Sequence, residues 1–388
     1  MTGAVHEPHP RLPELLEALK ARRLSRRAFL RAASLLGVAA ASAYALAGLA
    51  PPVRGAEAKR GGRLRLSMRV AELSRPHSFS WVFDSNAVRQ ANDYLTRTGS
   101  DNVTRPWLLE RWQASADLRS WTLRLRNDVR WSSGEPLVAE HVIWNLERWL
   151  DPEVGSSMLG LMGSYLLDDR GRLWTADAIE RLDDYTLRLN LKHPQLAVPE
   201  HLFHYPALIL HPGDDGRWGV GALGTGAFEP VEIETGRRAL FRRRARYWRE
   251  GPWLDELVFV DHGDDPAAAL AALGSGQVDG LFEASTLQYP ALEKMPDVVL
   301  HSVRSAQTAV ARMQPRHKPF DDPRVRRAMR LALDTEKLLL VAHLGLGDPG
   351  EHHHVAPVHP EYAPLPMVRR DVAEARRLLA EAGYADGF

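Results

Sequence analysis

The chain has 388 residues, 45% of them apolar and 26% charged, with a formal net charge of +1. That length allows a sizeable core and more than one lobe, and the absence of cysteine excludes disulfides, thiolate metal sites, a cysteine nucleophile and a lipid-bearing cysteine. The first 58 residues hold eight of the 50 Lys/Arg and four of the 49 Asp/Glu, which leaves 42 against 45, a net charge of −3 that offers nothing to nucleic acid.

At the front, Ser25-Arg26-Arg27-Ala28-Phe29-Leu30-Arg31 reads as a twin-arginine export signal, with the apolar run Ala32 to Ala50 as its h-region and Ala56-Glu57-Ala58 as a small-x-small cleavage site. The run is just long enough to span a bilayer, but its many Ala and Gly residues make it a weak anchor, so residues 1–58 are expected to be a cleaved leader. The Tat translocase is then the export partner.

Arg63 to Val70 alternates Leu64, Leu66 and Met68 with Arg63, Arg65 and Ser67, which predicts a first strand. The stretch Ser80-Trp81-Val82-Phe83 precedes a helix expected to run on through Ala87 to Leu95. Trp121, Leu123 and Leu125 alternate with Thr122, Arg124 and Arg126, so a pleated strand buries one set and wets the other. Ser132-Ser133-Gly134 then supplies a tight reversal. Val142, Leu146 and Trp149 recur on one helical face that Asp151-Pro152 stops. Asp183 to Leu191 alternates like the Trp121 strand, and two such strands can pair and cover the helix between them.

Gly219 to Gly224 spells G-x-G-x-x-G, yet a strand and no helix follows, which removes the helix N-terminus a dinucleotide site needs. The basic run Arg237 to Arg246 faces Glu229, Glu232 and Glu234 across Thr235-Gly236, a hairpin with opposite charges paired. Glu256 to Asp261, a helix capped by Asp264-Asp265-Pro266, and Val278 to Phe282 form a strand-helix-strand crossover, hence parallel pairing. Further on, Ala306 to Gln314 is expected as a strand. Asp321 or Asp322 caps a helix with Pro323 in its first turn and Val325, Met329, Ala332 and Leu333 as its buried face. Its arginines are expected to satisfy surface and interlobe carboxylates. His352, His353, His354 and His359 raise the question of a metal, but adjacent histidines converge poorly on one ion, and no metal or cofactor is assigned. A last amphipathic helix runs from Asp371 to Ala382.

The strand, turn and helix at 121–152, with WTLRLRNDVRW, SGEP, AEHV and ERWLDP, resemble the signature of the family 5 solute-binding proteins of ABC importers, receptors for oligopeptides, dipeptides and nickel chelates. PWLLERWQ at 106–113, Gly224-Thr225-Gly226-Ala227-Phe228, Tyr247-Trp248, Leu273 to Asp279, the PFDDPRVRRA run from Pro319 and the last helix follow in the family's order. Trp107 departs from the family's usual small residue.

The resemblance implies an α/β, type II (class C-like) periplasmic solute-binding fold of two lobes, with an extra subdomain in lobe I. On that basis 59–94 opens lobe I, 95–178 is the inserted subdomain, 179–305 completes lobe I, and 306–388 is a partial lobe II, cut short before the acidic residue that meets a peptide's amino terminus. It places Ser80, Trp81, Val82 and Phe83 beside the ligand, and Gly224, Thr225, Gly226 and Phe228 where the backbone approaches the cleft. The implied function is a monomeric periplasmic receptor that closes on a peptide or similar solute and delivers it to a membrane permease, without catalysis. A periplasmic hydrolase is the rival, although the chain has no G-x-S-x-G, H-E-x-x-H or P-loop. A truncated remnant that binds nothing is the third reading.

Overall fold

The computed structural model describes residues 9–50, 59–101, 103–303, 305, 307–353, 355–357 and 362–388. The expected cleavage site Ala56-Glu57-Ala58, Ala306, His354 and His359 lie outside the described residues. Two compact units divide the chain, Met1–Glu283 and Ala284–Phe388. The break therefore falls ahead of the lobe crossing expected after Ser305.

Unit 1 opens with three helices, α1 (Leu12–Lys20), α2 (Arg26–Leu35) and α3 (Ala40–Leu46). The apolar run expected as one h-region is split, with Leu36 to Ala39 between α2 and α3. Among the described residues no helix is long and apolar enough to cross a membrane.

Strand β1 (Arg63–Ser67) and the short helix α4 (Val82–Val88) follow. The helix expected over Ala87 to Leu95 starts earlier and ends at Val88, because the next polar side chains are bound elsewhere. Asn92 donates to the carbonyls of Ile209 (3.0 Å) and Leu223 (3.3 Å) and accepts from Trp218 Nε1 (2.8 Å). Buried Asn and Asp with such partners pull the backbone out of a helix.

The antiparallel pair β2 (Thr96–Thr98) and β3 (Thr104–Pro106) leads into β4 (Leu109–Ala114) and β5 (Ser120–Leu125). After α5 (Ala139–Leu150) and α6 (Ser157–Leu166) come β6 (Ile179–Asp183) and β7 (Thr186–Asn190). These form an antiparallel sheet in the order β4-β5-β7-β6, with Trp121 opposite Leu189 and Leu123 opposite Leu187. All four side chains are fully buried, as are Val142, Leu146 and Trp149 of α5, so the matched apolar faces do pair and join the helix in one core. The sheet thereby crosses the boundary expected at residue 178, since β6 and β7 complete it.

Helix α7 (Val198–His201) precedes the second sheet, which runs β11-β1-β10-β9-β8, with β8 (Phe228–Glu234), β9 (Arg238–Arg243), β10 (Glu256–Val260) and β11 (Gly280–Leu281). The β8–β9 hairpin sets Glu234 opposite Arg238, and Arg238 binds Glu232 through two bonds of 2.8 and 2.5 Å. Strands β10 and β11 flank β1, each parallel to it, as the crossover through α8 (Pro266–Gly274) requires. Asp265 caps α8 by accepting from the N–H of Ala267. One hydrophobic core spans both sheets of the unit.

Unit 2 is helical: α9 (Tyr289–Leu292), α10 (Pro323–Ala332), α11 (Thr335–His343) and α12 (Val372–Glu381). The strand expected over Ala306 to Gln314 is irregular at 307–314, and no strand occurs among the described residues of the unit. An extended segment becomes a strand only where a neighbour takes its backbone hydrogen bonds. Asp322 caps α10 as expected, but its buried residues are Val325 and Ala328, of which Ala328 clusters with Ala375 and Leu378 of α12, while Ala332 is exposed. Of its arginines, Arg324 binds Asp322 and the carbonyl of Glu381, and Arg326 binds the carbonyls of Phe320 and Asp321, all within this unit.

Candidate functional site

The segment before α4 is held from behind and open in front. His77 lies in a 3₁₀ turn, Pro76–Ser78, and its Nε2 donates to the carbonyl of Leu208 (3.0 Å). Beyond it the chain extends, so Trp81 is 67% exposed although Phe79, two residues earlier, is buried. A pocket of about 470 Å³ is lined here by Glu72, Arg75, Ser78, Ser80, Trp81 and Asp84 among others. Val82 and Phe83 do not line it. Val82 is exposed within α4, and Phe83 is half-buried, edge-on to Phe282 with ring centroids 5.5 Å apart.

Burial raises the carboxyl of Asp84 against the opposing pull of Arg69, whereas Glu72 is lowered by the hydroxyl and N–H of Ser74. Two acids of unlike character, a guanidinium, hydroxyls and an exposed indole suit a polar solute carrying both charges. Glu72, Arg75 and Asp84 come to the pocket from positions that no sequence period connects.

Gly224, Thr225, Gly226 and Phe228 lie elsewhere, and all four are buried. They clamp the chain just after α4. The N–H of Gly226 donates to the carbonyl of Ala91 (2.8 Å), and that of Phe228 to the carbonyl of Gln90 (2.9 Å). Between them the Thr225 hydroxyl donates to Asp93 (3.0 Å), which also accepts from Trp107 Nε1 (2.8 Å) and Trp248 Nε1 (3.2 Å). Burial pushes the Asp93 carboxyl up, while the two indoles, the hydroxyl and nearby Arg249 pull it back. The guanidinium of Arg249 lies 4.0 Å from the centre of the Trp107 ring.

The Trp107 that departs from the family pattern is thus a donor to a buried acid. Thr225→Val keeps the shape and removes one donor from Asp93, and we expect it to cost about 1–2 kcal/mol. Denaturant unfolding checks the cost, and ligand affinity should not move.

Glu135, His141 and His211 also converge, from the reversal, α5 and the loop before β8, with one possible ligand atom of each within 4.8 Å of the others. Positions so far apart in the chain gave no motif to find. Their hydrogen bonds decide the chemistry. His141 Nδ1 accepts from Trp131 Nε1 (2.9 Å), and His211 Nδ1 accepts from the N–H of Gly213 (2.9 Å). Each neutral ring therefore carries its proton on Nε2, and His211 donates there to Glu135. A ligating imidazole has the reverse arrangement, one nitrogen free for the metal and the other donating. This is a hydrogen-bonded histidine-carboxylate cluster that braces the reversal, and its donor set does not suit an ion. Of the other histidines singled out, His353 pairs with Glu351 at 3.0 Å.

Residues 103–388 match the family described as bacterial extracellular solute-binding proteins, family 5 Middle. The chain belongs to that family. Its members are binding proteins. The periplasmic oligopeptide-binding protein OppA of Haemophilus influenzae is 25% identical over 333 residues, which cover 80% of this chain and 61% of that protein. The glutathione-binding protein GsiB of Escherichia coli K12 is 29% identical over 293 residues, 72% of this chain and 53% of that protein. This family 5 chain thus spans less than two thirds of the length of either relative. Among solved structures, the periplasmic binding protein DppA from Helicobacter pylori in complex with the peptide STSA superposes with a TM-score of 0.70 at 21% identity, covering 85% of this chain and 68% of that one. The fold is that of the type II periplasmic binding proteins.

Proposed function

We propose that the protein is an extracytoplasmic receptor of an ABC importer that binds a peptide or similar small polar solute without altering it and delivers it to a membrane permease. The observation that carries this reading is the family match over residues 103–388. The pocket beside Trp81 supports it, because hydroxyls, two carboxylates and a guanidinium around an exposed indole offer hydrogen bonds and stacking to a peptide-like molecule. The twin-arginine sequence at Arg26-Arg27 supports export to the periplasm through the Tat translocase, and we take the receptor to act as a monomer. Oligopeptide and glutathione are what the relatives are named for.

Incubation of the purified protein with a library of short peptides is the test. Binding without conversion raises the melting temperature by mass action, about 2.7 kcal/mol of added stability at a hundredfold excess over Kd, and mass spectrometry recovers the peptide unchanged. Recovery of cleaved peptide would identify a hydrolase. Trp81→Ala is expected to weaken binding by roughly tenfold, the loss of one stacking aromatic.

A further inference from the structure

The N-terminal helices are built into unit 1 by bonds specific to the body. Arg31 binds Glu200 through two parallel bonds of 2.7 Å, the fork geometry that makes arginine-carboxylate pairs strong. Trp112 Nε1 donates to the carbonyl of Leu35 (2.9 Å), and the N–H of Thr104 donates to the Ser34 hydroxyl (3.2 Å). Tyr44 donates to Asp101 (2.7 Å), which Arg105 holds in place with bonds of 3.0 and 2.6 Å.

The apolar side of the leader is covered at the same time. Phe29, Ala33 and Ala43 share a buried cluster with Val103 of the body, and Leu30 and Tyr44 belong to it. Ser25 caps α2 by accepting from the N–H of Ala28. Arg26 and Arg27, in the first turn, are exposed. One face of the leader is read by the folded body, and the paired arginines are left on the other.

We propose that the body carries a docking site for its own leader, centred on Val103, Trp112 and Glu200, which withholds the leader's apolar face from the export machinery until the leader is released. This rests on residues 1–58 being an export signal, and it adds that the signal is masked in cis by the folded protein. Folding would then couple to export. A body that has not folded cannot form the site, so the apolar face of the signal is masked only once the body has folded.

The test uses the full-length precursor and changes only the body, so the signal sequence stays intact. Amide hydrogen exchange of the precursor should show residues 29–35 protected at least a hundredfold over their intrinsic rates. Glu200→Ala removes the fork, and should raise exchange at 29–35 by roughly tenfold while that of α5 stays unchanged, which certifies the fold. Glu200→Gln should give a smaller rise. In cells, the same variants should leave the cytoplasm faster than the wild type, in the same rank order.

Exchange at 29–35 near the intrinsic rate in the wild type would overturn the docking site. So would protection that Glu200→Ala leaves unmoved. A precursor that docks as described but never leaves the cytoplasm would overturn the reading of 1–58 as a signal, and with it the coupling to export, while leaving the docking contact in place.

Discussion

Gly224→Ala is expected to destabilise unit 1 by about 4 kcal/mol or more, whereas Gly219→Ala, five residues earlier, should fall within about 0.5 kcal/mol of the wild type. A Cβ at Gly224 would lie 2.0 Å from the carbonyl oxygen of Ala91 and 2.9 Å from its carbon, both backbone atoms with no rotamer to escape through. Gly226 is similarly placed, 2.6 Å from the Ala91 carbon. At Gly219 an added Cβ meets nothing within 4 Å. The Gly224 site has no slack on its other side. Its carbonyl accepts from the N–H of Ser132 (3.0 Å) and its own N–H donates to the Ser132 hydroxyl (3.3 Å), so the turn is wedged between the segment after α4 and the reversal at Ser132. Moving it would also pull Thr225 from Asp93 and leave indole N–H groups buried without an acceptor. Urea unfolding of the two variants side by side is the measurement. Equal midpoints would show that the close approach is not what the two glycines of this turn are for.

That turn also shows which information in the sequence is local and which is not. The alternation of Trp121, Leu123 and Leu125 and the helical spacing of Val142, Leu146 and Trp149 describe faces that any partner must bury, so the strand, the helix and their pairing with Leu187 and Leu189 could be read directly. Asp265-Pro266 and Asp322-Pro323 announce helix starts by chemistry confined to two residues. By contrast, the end of α4 is set by what Asn92 and Asp93 bind more than a hundred residues away. The segment 307–314 was expected as a strand from its place in the chain, but being one depends on a neighbour. The apolar leader is ambiguous for the same reason, since the run that would suit a bilayer also suits Val103 and Trp112 of the body.

Within the candidate site, Ser80 and Trp81 were legible only through the family resemblance, which sets the stretch 80–83 before a helix. Their pocket partners Glu72 and Asp84 were not, because a pocket is made of positions that only the fold brings together. The same holds for His141 and His211, joined through Trp131 and Glu135 and separated by most of the α5–α7 region.

Acidification should destabilise unit 1 through His77 by at most about 3 kcal/mol, with the loss falling between pH 6.5 and 4. Burial is the main reason its imidazole titrates at about 4 instead of 6.5, and the nearby Arg148 guanidinium pushes the same way against the pull of the Leu208 carbonyl. The sign follows from proton counting. Between pH 6.5 and 4 the unfolded chain holds a proton on this ring and the native protein does not, so lowering the pH favours unfolding; the stability is whole above 6.5 and lost as pH falls through 4. His141, His201 and His204 are lowered too, chiefly by burial, and slope the same way. A single pH profile therefore cannot assign the effect, but a difference can. His77→Gln keeps an N–H to offer Leu208 and cannot titrate, so its profile should be flatter than the wild type's over this window while the contributions of the other rings cancel. His77 also belongs to the 3₁₀ turn that ends at Ser78, which lines the pocket beside Trp81. Charging the ring would place a cation in that buried turn, with the Trp149 ring 5.9 Å away and the Arg148 guanidinium nearby, and is expected to disturb the backbone that forms the pocket. Ligand affinity should consequently hold through the 6.5–4 window and fall only as the native ring itself takes up a proton around and below pH 4, in the wild type and not in His77→Gln, and equal pH profiles for the two proteins would remove His77 as the cause.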